Sequence, residues 1–263
     1  MKQLNRFQKK LFATAAVIAV LSLSAGGAKA GPYTQTNLVS DLPGLAKLPE
    51  PELVNPWGIS HTATSPFWTS NQGTSTANLF AVSGQTTVSK VSPANTNGNI
   101  TIPTFGGGPA QGPTGQVANT NMSSFPVGNG GDNQFAHFIF ANLNGTISAW
   151  DMGQTAFIQV MPTAGVPTTY TGLAINTAQT RLYAANDAGA GSVDVFDSSF
   201  KPGAAAFTNP FPGLVPFNVQ NIGGKIYVTY AVPGLAAMRA SPKSKSFTPA
   251  LVTKMFAASD RGA

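Results

Sequence analysis

Few side chains in this sequence could carry acid–base or nucleophilic chemistry. The two histidines are His61, in the polar run "SHTATSP", and His137, which opens "HFIFAN". They share no metal-ligand spacing, and neither an HExxH nor a GxSxG motif occurs. With no cysteine, thiolate nucleophiles, thiolate metal sites and disulfides are all excluded. Paired carboxylates would have to come from Asp41, Glu50, Glu52, Asp132, Asp151, Asp187, Asp194 and Asp197, and no spacing singles out two of them. The Gly-rich run "GGGPAQGPTGQ" lacks the Gly-Lys-Ser/Thr ending of a phosphate loop. No catalytic residue is assigned. One positional set remains: Asn71, Asn142, Asn186 and Asp187 stand at equivalent points of a repeat. Converging around an axis, such groups could hold Ca²⁺ or a polar ligand. Each in its own hairpin, they are simply good turn formers.

The elements that must position them are short strands. "RLYAANDAGAGSVDVFD" (181–197) reads as two alternating strands around a Gly-rich turn, and "HFIFANLNGTISAWD" (137–151) aligns with it, placing Asn142 against Asn186 and Asp151 against Asp197. The pair recurs upstream in "PFWTSNQGTSTANLFAV" (66–82), and "KIYVTYA" (225–231) begins a fourth copy. A strand precedes each hairpin, at "NPWGIS", "SSFPVG", "YTGLAIN" and "VPFNVQN", and another follows most of them, at "TTVSKV", "TAFIQV" and, less clearly, "AAAFT". Four short antiparallel strands recurring every 40 to 50 residues predict an all-β fold, a β-propeller built of four-stranded blades. A β-sandwich with regular turns is the competing architecture, but sandwiches rarely repeat residue types in register. Residues 104–121 interrupt the period and read as a long loop. Asp151 and Asp197, following an aromatic at a strand end, read as turn-bracing rather than catalytic groups.

Charge supports neither nucleic acid nor anionic lipid as a partner. The net charge is +6, yet ten of the fifteen basic residues lie in the first thirty positions or after Ala231, and residues 31–231 carry five basic and eight acidic side chains. "MKQLNRFQKK", an apolar stretch and "AKA" form the three parts of a signal peptide over residues 1–30, with cleavage expected after Ala30. Export to the periplasm or beyond is therefore expected, with no membrane span once the signal is removed. A cysteine-free exported chain must rely on packing and strand pairing alone.

Together "YTQTNLVSD", "LVNPWGIS", "FWTSNQGT", "GPTGQVAN", "FIFANLNGTISAWD", "TYTGLAIN" and "RLYAANDAGAGSVDVFD" resemble an uncharacterised family of exported bacterial β-propeller proteins related to NHL-repeat propellers. Some members carry exosortase-type C-terminal sorting signals. The resemblance covers about residues 33–231 and implies a six-bladed ring closed by pairing its first strand with its last blade. It implies no known reaction. The pattern breaks after Ala231, where 232–263 is basic and without alternation. The expected organisation is thus a signal peptide, an incomplete propeller of about three and a half blades over 31–231, and an atypical tail that reads as truncated or out of frame. The functional expectation is an exported binding or interaction module for an unidentified extracellular ligand or surface. The alternatives are a calcium-dependent propeller hydrolase or lactonase with Asn142, Asn186 and Asp187 near the metal, and a product without function.

Overall fold

The structure, a computed structural model, describes residues 35–84, 86–94, 96–103, 105, 111–204 and 207–234, with the backbone of 254–259. The signal segment and its expected cleavage point after Ala30 lie outside the described residues. Met1–Thr36 forms one unit and Asn37–Ala263 another, and every strand of the described residues belongs to the second. Among the described residues all regular structure is β, and no helix is long and apolar enough to cross a membrane.

A short parallel pair, β1 (Val39–Ser40) and β2 (Leu48–Pro49), leads into four antiparallel sheets taken in chain order. The first contains β3 (Pro56–Ser60), β4 (Phe67–Asn71), β5 (Thr76–Ser83) and β6 (Thr87–Lys90), with β7 (Asn99–Thr101) also paired to β5. The second contains β8 (Pro113–Ala118), β9 (Phe138–Asn142), β10 (Ile147–Trp150) and β11 (Phe157–Val160). The third contains β12 (Tyr170–Ile175), β13 (Arg181–Asn186) and β14 (Ser192–Asp197). The fourth contains β15 (Val215–Ile222), β16 (Lys225–Ala231) and β17 (Lys254–Ser259). The first strand of each sheet packs beside the first strand of the next, β3 on β8, β8 on β12 and β12 on β15. Successive meander sheets joined along their innermost strands are the blades of a β-propeller.

Alternation explains why the blades stack. On β9, Phe138 and Phe140 enter a cluster with Trp68, Leu79 and Trp150 on the first-blade side, while Ile139 and Ala141 enter a second cluster with Leu173 and Leu182. On β13, Leu182 and Ala184 join that second cluster, whereas Tyr183 and Ala185 face Val219, Ile226 and Val228 of the fourth blade. A strand covered on both faces reads as a continuous apolar run, which is how "FIFAN" and "RLYAAN" appear. The tightest packing is the near-parallel stack of Trp68 on Phe138, with ring centroids 4.0 Å apart. Offset aromatic stacking of this kind adds about 0.5–1.5 kcal/mol beyond area burial.

Three features differ from the sequence expectations. The innermost strand of the second blade is Pro113–Ala118, within the segment read as a long loop, and not "SSFPVG". Residues 119–136 instead form an excursion between β8 and β9, pinned by the Pro126–Phe135 bridge and by Phe125, whose N–H donates to Ser198 O. This insertion stretched the apparent period. In addition, the fourth sheet acquires a third strand, because β17, drawn from the atypical tail, pairs in register along β16 from Lys225–Ser259 to Tyr230–Lys254. "AAAFT" supplies no strand among the described residues; the third blade continues only as the Phe196–Pro202 bridge.

Candidate functional site

Four innermost strands share one irregularity. The pairing slips between Pro56 and Gly58, between Pro113 and Gln116, between Tyr170 and Gly172, and between Pro216 and Asn218, so each strand carries one extra residue near its start. Such a bulge bends the strand and re-aims the extra side chain. The residues so placed are Trp57, Thr114, Thr171 and Phe217.

A glycine after the bulge lets neighbouring blades approach backbone to backbone. A Cβ on Gly58 would lie 2.6 Å from Thr114 O, and one on Gly115 would lie 2.2 Å from Leu173 N. On Gly172 it would meet Asn218 Oδ1 at 2.3 Å and Asn218 Cα at 2.9 Å. No side chain fits at any of the three. The seam is also hydrogen-bonded: Thr114 Oγ1 donates to Ala141 O at 3.1 Å within its own blade and to Tyr170 O of the next at 2.8 Å. Nearly buried Gln116 donates to Ser60 Oγ (2.8 Å) and Trp68 O (2.7 Å), and accepts from Ser70 Oγ (2.6 Å).

These four strands line a concave cavity of about 740 Å³. Of its lining residues, Trp57 and Phe217, from the first and fourth blades, hold their rings 6.2 Å apart at a tilt of 40°. Thr114 and Thr171 are small and turned into backbone hydrogen bonds, so the space opposite the aromatic pair stays open. Ile59, Ile175 and Val219 give the wall apolar character, and Ser60, Asn218 and Gln220 give it neutral polar groups. Among the described residues, none of the carboxylates between Asp41 and Asp197 lines it, and neither does any lysine or arginine; His61 is the one titratable side chain of the described lining.

The residues singled out from sequence sit elsewhere in each blade. Asn71, Asn142 and Asn186 end β4, β9 and β13 and pair with Pro56, Pro113 and Tyr170, so the repeat does place them equivalently. Their carboxamides serve their own hairpins. Asn71 Nδ2 donates to Thr76 Oγ1 at 3.1 Å and to Asn78 Oδ1, while its Oδ1 accepts from Thr69 Oγ1. Asn142 Nδ2 donates to Thr146 Oγ1 (2.9 Å) and Ser148 Oγ (3.1 Å). Asn186 Oδ1 accepts from the N–H groups of Thr169 and Ala188, and its Nδ2 faces Asp194 Oδ2 at 3.4 Å. Asp187 is buried beside it, with its N–H donating to Thr169 O. Calcium takes six to eight oxygens and favours carboxylates; the Asn71 and Asn186 oxygens are already engaged, whereas the buried Asn142 Oδ1 accepts no hydrogen bond among the described residues. Among the described residues, no group of three or more His, Asp or Glu side chains could hold a metal ion.

Both histidines serve local structure. His61 packs edge-on to Phe67 at 4.8 Å, with its Nδ1 2.8 Å from Thr62 O, and His137 packs edge-on to Phe135 at 4.6 Å. Three acidic groups are perturbed by their surroundings, among them Tyr230, raised by burial. Burial and a hydrogen bond with Asp132 hold the Asp151 carboxyl above its ordinary range, although the Met152 and Asp132 N–H groups pull the other way. Tyr170 is pushed well above the usual phenol range by burial and by Asp194, whose Oδ2 accepts from the Tyr170 hydroxyl at 2.9 Å. None of the three lines the cavity.

The cavity residues were not singled out from the sequence. The signal that could have found them is the strand-opening pattern "PWG", "PTG", "YTG" and "PFN", which marks the bulge and the residue it re-aims.

No family model and no curated protein matches the sequence. Among solved structures the chain is similar to the hydrazine synthase of Kuenenia stuttgartiensis, at 16% identity and a TM-score of 0.44 over 77% of this chain and 46% of that one. It is likewise similar to a catalytically inactive virginiamycin B lyase from Staphylococcus aureus crystallised with quinupristin, at 15% identity and a TM-score of 0.44 over 72% of this chain and 52% of that one. The chain spans about half the length of these structures. At such scores the propeller assignment rests on the order of the sheets and the packing of their inner strands.

Proposed function

We propose that this is an exported propeller-type binding module, of the NHL-like kind its sequence resembles, which holds an uncharged ligand in the concavity of its inner strands without turning it over. The observation that carries the reading is the composition of the wall: aromatic, aliphatic and neutral polar side chains, with every carboxylate and every lysine or arginine of the described residues placed elsewhere. A concave, largely preformed pocket with a few polar groups is the usual form of a small-molecule site. Hydrolysis of an ester or lactone needs a general base or a metal-activated water at the substrate. Among the described residues the cavity offers His61 and no carboxylate. Export is supported by the three-part N-terminal signal pattern alone.

Thermal unfolding of the chain lacking residues 1–30, in the presence of uncharged, anionic and cationic small molecules, tests the proposal. Stabilisation by at least one uncharged compound, lost in the Trp57→Ala variant, is expected. Stabilisation confined to charged compounds, or calcium-dependent release of product from an ester or lactone substrate, would overturn it.

A further inference from the structure

Resting on the proposed binding role, we infer that the ligand is a neutral saccharide, stacked against Trp57 and Phe217 and hydrogen-bonded by the carboxamide of Gln220 and the open edges of the inner strands.

The inference follows from what the cavity offers and what it withholds. Among the described residues no lysine, arginine, aspartate or glutamate lines it, so a charged ligand entering it would be desolvated without a counter-ion from them. It does offer aromatic surface: Trp57 and Phe217 are only partly buried, in contrast with Trp68 and Trp150, which lie inside the blade interface. The ring pair is tilted by 40° with centroids 6.2 Å apart, too close for a sugar between the rings, so a pyranose would lie across the pair. The C–H face of a pyranose is apolar and flat enough to lie on such a ring, with its hydroxyls at the rim.

The polar groups fit the same chemistry. Gln220 lines the cavity and is exposed, and its carboxamide makes no hydrogen bond to protein among the described residues, so it presents both donor and acceptor. Adjacent hydroxyls on a sugar ring are each donor and acceptor and can meet both ends of it. Asn218, also exposed, stands two residues away on the same strand. The inner strands β3, β8, β12 and β15 bond β4, β9, β13 and β16 along one edge, which leaves the edge facing the cavity to its occupant.

An extended peptide is the main competitor for those edges, since strand addition draws its affinity from a regular ladder. Here all four strands are bulged at the same level, and a bulge disrupts such a ladder and blunts an edge against pairing. Hydroxyls need no strand register. They can satisfy single N–H and C=O groups wherever the bulges leave them.

The test uses the chain from residue 31 onward, titrated with maltohexaose, cellohexaose, xylohexaose and tri-N-acetylchitotriose, and in parallel with uncharged hexapeptides of Gly, Ala, Ser and Asn. Binding is measured by calorimetry and by tryptophan emission, to which Trp57 contributes as the least buried tryptophan. We expect saturable binding of at least one saccharide with a shift in emission, loss of that shift in Trp57→Phe, and about fivefold weaker binding in Gln220→Ala. Gln220 is exposed, so its variant keeps the fold, which circular dichroism confirms independently. Peptide binding without saccharide binding would overturn the saccharide assignment and leave the binding module standing. Failure of both sets would remove both. Saccharide binding unchanged in Trp57→Ala and Gln220→Ala would place the ligand outside this cavity and overturn the inference.

Discussion

Replacing Gly115 by alanine adds one methyl group at the point where the second and third blades meet. Its Cβ would sit 2.2 Å from Leu173 N, 2.6 Å from Gly172 C and 2.8 Å from Leu173 Cβ. Two of those atoms are backbone, so no rotamer change relieves the contact. Relief requires β8 and β12 to part by more than about 1 Å, the shortfall from a normal carbon contact of about 3.5 Å. That movement would lengthen the Thr114 hydrogen bond to Tyr170 O and loosen Val117 and Leu173 in the cluster beneath. Overpacking of a tight core costs typically 1–3 kcal/mol, and a backbone-to-backbone seam lies at or beyond the upper end, about 3 kcal/mol. For a domain of this size each kcal/mol lowers Tm by about 2–4 °C, so Gly115→Ala should unfold about 6–12 °C lower. Thermal and urea unfolding followed by far-ultraviolet circular dichroism measure it. Gly203→Ala is the control, since its Cβ would meet nothing closer than Val195 Cγ1 at 3.5 Å. It should stay within about 0.5 kcal/mol of the parent. If Gly115→Ala and Gly203→Ala unfold together, the claim that these glycines set the blade spacing is wrong.

Three other perturbations probe the packing around the site. Because burial and Asp132 raise the Asp151 pKa, the folded state favours the protonated carboxyl, so its contribution is complete below the unfolded pKa of about 4 and is lost as pH rises through the higher folded value. Asp151→Asn should therefore gain stability relative to the parent as pH rises from 4 to 7; a Tm difference that is flat across that window would contradict it. Tyr170→Phe removes the hydroxyl that donates to Asp194 Oδ2 and should cost about 1.5–3 kcal/mol at neutral pH. Since the raised Tyr170 pKa resists ionisation, that difference should shrink above about pH 10 as the unfolded phenol ionises, which alkaline urea melts would show. Lys90→Met strands buried Glu50, whose Oε2 is 2.6 Å from Lys90 Nζ. With the lysine about a quarter exposed, the loss should fall below the 3–5 kcal/mol of a fully buried pair, near about 2 kcal/mol, and Glu50→Gln in the same chain should recover part of it by urea melt.

How far the sequence reaches depends on whether a feature is local. The hairpins of β4–β5, β9–β10 and β13–β14 were legible because alternation and an asparagine before the turn are written within some fifteen residues. The inner strand β8 was not, because residues 119–136 separate it from its partner β9 and moved it off the apparent period. Its relation to β3 and β12 lies in glycine: Gly58, Gly115 and Gly172 recur every 57 residues, a spacing hidden beneath the shorter hairpin repeat. β17 was missed because a strand that completes an existing edge needs only backbone pairing, with no alternation of its own. The cavity was the least legible part. Trp57 and Phe217 are 160 residues apart and become neighbours only through the arc of four blades. Asn71, Asn142 and Asn186 were conspicuous for the opposite reason, since equivalence in a repeat is what a structural turn also produces.

The bulge joins the packing of the fold to the cavity wall within two consecutive residues. In β3 and β12, and by alignment in β8, the second of them is glycine, and any side chain there would enter the backbone of the next blade. The first is the extra residue, unpaired in the ladder, and it varies: Trp57 and Phe217 in two blades, Thr114 and Thr171 in the others. Constraint and freedom therefore alternate along the chain. A change at the glycine alters blade spacing everywhere along the seam, whereas a change at the residue before it alters the wall of the cavity. The threonines, bonded back to Tyr170 O and Ala185 O, leave room, and the two aromatics fill the opposite side. In the fourth blade Asn218 stands where the other blades carry glycine, and its Oδ1 lies against Gly172 of the third blade and accepts from Val219 N at 2.8 Å. The Phe217 ring and the side chains of Asn218 and Gln220 thus lie on one short stretch of β15, at one end of the arc.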